Sequence, residues 1–456
     1  MDAIAQPITP PAPAVLAKPF PAWRHILEMS RNTLAVWPVE AFEAPFARAQ
    51  VLGIESVLIN DPEGIRHVLA TGAANYLRPI LAVRAIRPLT GAGVLLSEGA
   101  QWRRQRKTLA PVFSPTSVKM LLPHFMLAAE RLAGTLEGHT SANLSTAFHA
   151  ATLEAVLRAL FSLPPEGGHS GMAAMARDYV TGPGRPNLLD ALAKREDDFP
   201  FAAGRRRRFQ ERWFDAVDAV IADRRREAGS AVHEDLLGQL LSVRDPETGE
   251  ALPDAEIRDQ CATMLLAGFE TTSRLLFWAS YLLALDPMEQ VAIRREIQAF
   301  PPERIGDLDD LQHWPRLRQA LLETLRLYPS APHVVREAVG EDEVMGEVIH
   351  AKTQVWISPW VIHRHRKFWE HPTAFVPGRF AGKASPWTSF GPFIPFGAGP
   401  RICIGASFAL AEAQIVLATL LSRFEIGLDS RRPVLPVGGV TVGPDHDPSF
   451  RLTPAS

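Results

Sequence analysis

Cys403 lies in PFGAGPRICIG, residues 395–405, where three glycines and two prolines exclude an ordinary helix or strand. The following stretch, ASFALAEAQIVLATLLSRFEI, carries apolar residues at helical spacing. The cysteine therefore stands at the exit of a glycine-rich loop and at a helix N-terminus. Free amides and the helix dipole favour a thiolate there, and glycines let backbone amides approach closely. A zinc site needs three or four ligands, and the only other cysteine, Cys261, is far away in sequence. A nucleophile needs a base, and no histidine is local. Two readings remain. One is an inert buried cysteine in a tight turn. The other is a single thiolate ligand to heme iron, which pushes electron density toward cleavage of an O–O bond.

Other residues stand out by spacing. The apolar helix QCATMLLAGFETTSRLLFWASYLLA, residues 260–284, contains Gly268, which costs about 1 kcal/mol against alanine. Glu270, Thr271 and Thr272 follow, and polar groups within an apolar helix need an explanation. A hydroxyl bond to the carbonyl four residues back is the plain account of the threonines. A helix end is not, because the apolar pattern continues past them. Glu323 and Arg326 in LLETLRLYP share a helix face at i, i+3, a pair worth under about 1 kcal/mol at a surface. Trp102 and Arg106 share one at i, i+4, where packing plus a cation–π contact is the ordinary outcome. His363, His365 and His371 are joined by no cysteine or carboxylate cluster, so no metal is expected there.

Taken together these motifs resemble the cytochrome P450 family. The cysteine segment matches its heme signature at every fixed position: Phe396, Gly399, Arg401, Cys403 and Gly405, with Gly397 inside the loop. The order Trp-x-x-x-Arg, Ala-Gly-x-Glu-Thr-Thr, Glu-x-x-Arg, Arg-Phe segment and cysteine loop is also similar. The resemblance implies heme b as cofactor, with Cys403 as its axial metal ligand. It implies a distal face formed by Ala267 and Gly268, which leave room for dioxygen, and a proton relay of Glu270 with Thr271. Trp102, Arg106, Arg401 and Arg336 would meet the heme propionates. Arg379 would close a buried triad with Glu323 and Arg326. Gly378 stands where relatives carry glutamate, and Arg366 where many carry proline.

These residues need a scaffold, and the chain has the material for one. It holds 456 residues, 46% of them hydrophobic, with a formal net charge of −2, which argues against a nucleic-acid binder. Two cysteines exclude a disulfide framework and fit a cytoplasmic setting. No run reaches the roughly 20 apolar residues of a membrane span, so no transmembrane anchor is expected. Residues 1–22 read as a flexible proline-rich leader and 23–456 as a single domain. Helical periodicity dominates, as in residues 117–138 and 207–229, and strand-like pieces are short, at 50–60, 343–358 and near the end. The expected fold is mainly α with a smaller β region, the family's triangular prism around a buried heme. Residues 179–190 read as a mobile loop, and the basic runs at 205–208 and 224–226 as solvated helix faces.

The implied activity is monooxygenation: one oxygen atom from dioxygen enters a hydrophobic small molecule, by hydroxylation or epoxidation. No flavin or nicotinamide domain is visible, so electrons are expected from a separate ferredoxin and ferredoxin reductase, docking near Arg103, Arg104 and Lys107. A peroxide-driven peroxygenase, a heme-thiolate isomerase or dehydratase, and a heme sensor or carrier are the rivals. Segments 76–96, 182–186, 265–271, 331–335 and 448–450 are expected to line the pocket. A fatty-acid or terpenoid substrate is the guess, and Arg78, Arg84 or Arg87 could hold a substrate carboxylate.

Overall fold

The computed structural model describes residues 7–455 apart from 52, 163–170, 186–188, 191, 192, 194, 197, 199–203, 228–234, 243 and 245–248. The helices that matter to the site are α1 (Ala22–Arg31), α2 (Ile80–Thr90), α3 (Gly99–Leu109), α4 (Pro115–Leu136), α5 (Leu144–Phe161), α6 (Gly204–Glu227), α7 (Asp254–Leu285), α8 (Pro315–Leu327) and α9 (Ala406–Arg423). The central one is α7. It is apolar on nearly every face, and such a helix is stable only when surrounded. Leu265, Phe269, Leu276, Trp278 and Leu282 are accordingly buried, and α2, α5, α8 and α9 pack on it. Asp254 and Glu256 in its first turn complement the helix dipole. Gly268 is where α5 comes closest: a Cβ there would stand 2.7 Å from Cγ2 of Val156. Its small size thus serves helix packing.

The strands are β1 (Phe46–Val51), β2 (Ile54–Ile59), β3 (Tyr76–Leu77), β4 (Ser141–Ala142), β5 (Val334–Ala338), β6 (Asp342–Val344), β7 (Glu347–Ile349), β8 (Gln354–Ile357), β9 (Phe424–Leu428), β10 (Pro436–Gly438), β11 (Val442–Pro444) and β12 (Phe450–Pro454). Five form one sheet in the order β1-β2-β8-β5-β3. The β1–β2 pair is an antiparallel hairpin with Val51 opposite Ile54, β2 and β8 run parallel, and β3 adds antiparallel to β5. This last pairing brings Arg78, which follows β3, into the neighbourhood of Arg336 on β5. Smaller sheets join β4, β12 and β9, then β10 with β11, and β6 with β7.

Glu323 and Arg326 of α8 are fully buried, not a surface pair. Arg326 donates to both Glu323 oxygens, at 2.8 and 2.7 Å, and to the carbonyls of His363, Pro372 and Ala374. Arg379 Nε completes the triad at 3.0 Å, and the Val376 amide adds a donor at 2.9 Å. So many donors satisfy the carboxylate that the glycine at 378 leaves no gap in it. His363 is bound into the same cluster. Its Nδ1–H donates to the Arg326 carbonyl, and its Nε2 accepts the Ile394 amide at 2.9 Å. Burial and the adjacent arginines hold it neutral. Among the described residues no histidine, cysteine and carboxylate cluster could hold a metal ion.

Three sequence expectations need correction. Residues 8–16 are not a free leader: the Ile8 carbonyl accepts from the Phe375 amide at 2.9 Å, and the Pro11 carbonyl from the Tyr328 hydroxyl at 2.7 Å. An extended proline-rich chain has carbonyls without local partners, and the body supplies the donors. The loop at 182–185 is not loose either, because Arg206 binds the Pro183 and Arg185 carbonyls at 2.7 and 3.0 Å; residues 186–188 lie outside the described ones. Phe450 packs edge-on against Phe277 in the core, so the late turn does not present it to a pocket. The basic runs on α6 are laced with acids: Arg206 with Asp190, Arg207 with Glu211, Arg224 with Asp235 and Arg225 with Asp254.

Candidate active site

The loop before α9 is shaped by two glycines with positive φ, Gly397 at 73° and Gly399 at 72°. At Gly399 a Cβ would also collide with the Leu69 carbonyl oxygen, so glycine is required there on two counts. The turn closes through the Cys403 amide, which donates to the Phe396 carbonyl at 2.9 Å, while Phe396 packs edge-on against Trp387. Cys403 remains accessible although protein surrounds it. Burial pushes its thiol up, and the Gly405 amide and the Arg106 guanidinium pull it back down. Those two groups are the ones that would stabilise a sulfur anion. Cys261, by contrast, is enclosed in α7, and burial holds it as a thiol.

A second anomaly lies on α7, which packs on α9. Ala267 is exposed in the middle of a helix that is otherwise buried, and Gly268 and Thr271 are half-exposed beside it. Accessible surface inside a core helix marks an interior space. The helix packs on α9, whose N-terminal loop carries the other accessible group, Cys403. Thr271 Oγ1 donates to the Ala267 carbonyl at 2.7 Å, which leaves its lone pairs for a donor in that space.

Glu270 does not join Thr271 there. Its carboxylate is 2% exposed and turned toward α5. It accepts from His149 Nε2 at 2.9 Å, Arg274 Nε at 3.0 Å and the Thr441 hydroxyl at 2.9 Å. Burial alone would raise its pKa, but Arg274, His149 and Thr441 together lower it to about 2. A carboxylate so held has no proton to give where it stands, which corrects the simple pairing expected from the sequence. Neighbours in a helix point about 100° apart. Partners 121 and 171 residues away then captured the glutamate.

A third group is a ring of arginines. Arg401 donates to the Ser97 carbonyl at 3.0 Å, pairs with Glu98, and lies over Trp102 with 4.4 Å between guanidinium and ring centre. Arg78 pairs with Glu98 at 2.7 Å. Arg336 donates to its neighbour's carbonyl, Val335, at 2.9 Å. Burial, then Arg78 and Arg401, brings Arg336 down to about 9; burial and Arg78 bring Arg401 down to about 10. Cations that depress one another while sharing the single carboxylate of Glu98 call for further anions. With Arg106 beside Cys403, this donor set fits a flat group that offers a metal to the sulfur and carboxylates to the arginines.

The three arginines considered for a substrate carboxylate are all engaged. Arg78 belongs to the ring. Arg84 is buried and binds Asp190 at 2.9 Å and the carbonyls of Glu196 and Asp198 at 2.7 and 2.5 Å. Arg87 pairs with Glu196 at 2.6 Å. Of the basic residues proposed for docking, Arg103 and Lys107 are exposed, whereas Arg104 pairs with Glu256 at 2.6 Å. Sequence reasoning missed Arg78 in the ring, Glu98 between the cations, and His149, Arg274 and Thr441 around Glu270. Arg274 was readable, four residues after Glu270 on one helix face; the others are placed by chain closure and carry no local signal.

Comparison with known proteins agrees with this geometry. The sequence matches the family model described as Cytochrome P450 over residues 15–443. It is 32% identical to human cytochrome P450 4F8 over 84% of this chain and 78% of that protein. It is 29% identical to cytokinin hydroxylase of Arabidopsis thaliana, over 87% and 79%. It is 30% identical to cyclooctat-9-en-7-ol 5-monooxygenase of Streptomyces melanosporofaciens, over 75% and 74%. Among solved structures, the cytochrome P450DA heme domain superposes with a TM-score of 0.80 over 99% of this chain and 98% of that one, at 23% identity.

Proposed function

Since the chain belongs to the cytochrome P450 family of heme-thiolate monooxygenases, we propose that it oxidises an apolar, uncharged small molecule with electrons from a separate ferredoxin and its reductase. Enzymes of this family carry heme b and use dioxygen and a redox partner on hydrophobic substrates. The observation that carries the reading is that Cys403, in the loop before α9, and Ala267, in the middle of buried α7, are both accessible, on two elements that pack together. Bound there, heme b supplies dioxygen activation, assisted by electron density from a thiolate.

The chain's own residues do the rest. Cys403 provides the sulfur, and the Gly405 amide and Arg106 stabilise its negative charge. Arg78, Arg106, Arg336 and Arg401 supply the cations for two propionates, and the fork of arginine suits a carboxylate. Ala267 keeps the distal space open. Thr271, its hydrogen given to the Ala267 carbonyl, would accept a hydrogen bond from a water in that space and so hold a proton there. Two unpaired cysteines fit a reducing compartment, the cytoplasm.

Three engaged arginines support a neutral substrate over a carboxylic acid. The Streptomyces relative is named for an alcohol substrate, which points the same way. Optical titration of the ferric protein with matched acids and alcohols of fatty and terpenoid skeletons tests this. A spin-state shift with alcohols at concentrations where the acids give none is expected. Tighter binding of the acids would sink the neutral-substrate reading.

A further inference from the structure

His149 on α5 is buried, 4% exposed, and both of its ring nitrogens face acceptors. Nδ1 is 2.7 Å from the Ser145 carbonyl, which can only accept, so a proton sits on Nδ1. Nε2 is 2.9 Å from Oε2 of Glu270. A neutral ring with its proton on Nδ1 would set a lone pair against a carboxylate. The contact therefore requires one further proton, on Nε2 or on the carboxyl. Arg274 and the Thr441 hydroxyl both donate to the other oxygen, Oε1, and favour the ionised carboxylate. The further proton therefore lies on the imidazole.

We propose that His149 is a positioning residue that stores this proton for the oxygen-binding face of α7, as an imidazolium locked against the Glu270 carboxylate. Its catalytic consequence rests on the monooxygenase reading above; the proton count does not. The charged groups facing the imidazole are Glu270 and Arg274, both from α7, and the β10–β11 turn adds only the neutral Thr441 hydroxyl. Transfer balances simply. The Nε2–H bond breaks as an O–H bond forms at Oε2, leaving a neutral ring and a neutral carboxyl. Rotation of that carboxyl away from Arg274 and Thr441 then carries the proton to the Thr271 side of the helix. Once the proton is given up, Arg274 balances the returning carboxylate, and a solvent proton restores the imidazolium. The arrangement also explains why an ionised Glu270 can serve a proton-consuming reaction: the proton is kept one atom away.

The first test needs no variant. In the reduced, carbon-monoxide-bound holoenzyme, which is diamagnetic, nitrogen-15 spectroscopy of histidine-labelled protein should show both His149 ring nitrogens protonated at pH 7, with His149→Gln identifying the signals. A bare ring nitrogen at pH 7 would overturn the proposal. The second test uses His149→Gln in turnover. Glutamine can still donate to Glu270 but carries no transferable proton. Peroxide released per electron pair should rise at least roughly threefold, with a changed pH profile, while the substrate-induced spin shift stays as in the parent. Unchanged peroxide release and pH profile would also overturn it. The heme assignment is tested separately by the thiolate-type carbon-monoxide band, so the two ideas fail independently.

Discussion

Glu412 is the sharpest single-residue case. It lies on α9, fully buried, and both of its carboxyl oxygens lack hydrogen-bond partners, as does the nearby Thr272 hydroxyl. Burial pushes its carboxyl well above the usual range, against the opposing pull of the Thr272 hydroxyl. The unfolded chain thus ionises Glu412 near pH 4.3 while the folded chain keeps the proton, and stability falls as pH rises between those two values. Relative to Glu412→Gln, the parent should lose unfolding free energy as pH rises from 5 to 6, measured in urea. Parallel curves would mean that Glu412 is ionised in the folded protein. Glu270 should behave oppositely. Its folded value is lowered to about 2, so its contribution is complete above the unfolded value and fades as pH falls toward 2. Glu270→Gln should be less stable than the parent by about 2–3 kcal/mol at pH 6, and the gap should narrow steadily below pH 4. A gap independent of pH would deny that the parent's carboxylate is held as an anion. Neither environment could be read from the sequence. Arg274 follows Glu270 by four residues, but His149 and Thr441 come from segments more than 100 residues away, whereas Cys403, whose setting is local, was legible from eleven letters.

At the level of elements, legibility followed the range of the interactions. The helices 115–136 and 204–227 were visible in hydrophobic period, and strands near 54–59 and 354–357 in short β-rich runs. The hairpin partner β1 was blurred because three of its six residues are exposed and carry no alternating core signal. The docked start of the chain was misread because proline-rich composition says nothing about carbonyls awaiting donors. The cysteine loop offers a controlled contrast. Gly397 and Gly399 share a left-handed φ, but only at 399 would a Cβ meet backbone. Gly397→Ala should cost about 1–2 kcal/mol and keep heme. Gly399→Ala should lose most heme, read as heme per protein after gel filtration, with Cys403 intact. Equal retention by both variants would mean that the loop yields and that φ strain alone matters. The contact of α5 with α7 gives a second contrast. Gly268→Ala should destabilise by roughly 1–3 kcal/mol through overpacking on Val156, and adding Val156→Ala should recover part of that loss. Simple additivity of the two changes would show that Gly268 serves something other than this contact.

For the whole molecule, the open matter is where electrons enter. The two sides of the interior space differ: the α7 side is walled by core helices, whereas the loop carrying Cys403 lies near α3, where Arg106 reaches the cysteine. On the outer side of α3, Arg103 and Lys107 are exposed, while Arg104 is tied to Glu256 across to α7. An acidic ferredoxin would therefore be steered by Arg103 and Lys107, and only weakly by Arg104, whose charge is already balanced. Exposed charges act on encounter rates, and salt screens them over about 10 Å at 0.1 M. The double variant Arg103→Glu/Lys107→Glu should reduce the second-order rate of heme reduction at least roughly tenfold at low salt and flatten its dependence on ionic strength. Arg225→Glu on α6, in the exposed pair with Asp254, is the matched control and should leave both unchanged. If the double variant and the control reduce alike at every salt concentration, electrons reach the heme by another face, and the docking role of α3 fails.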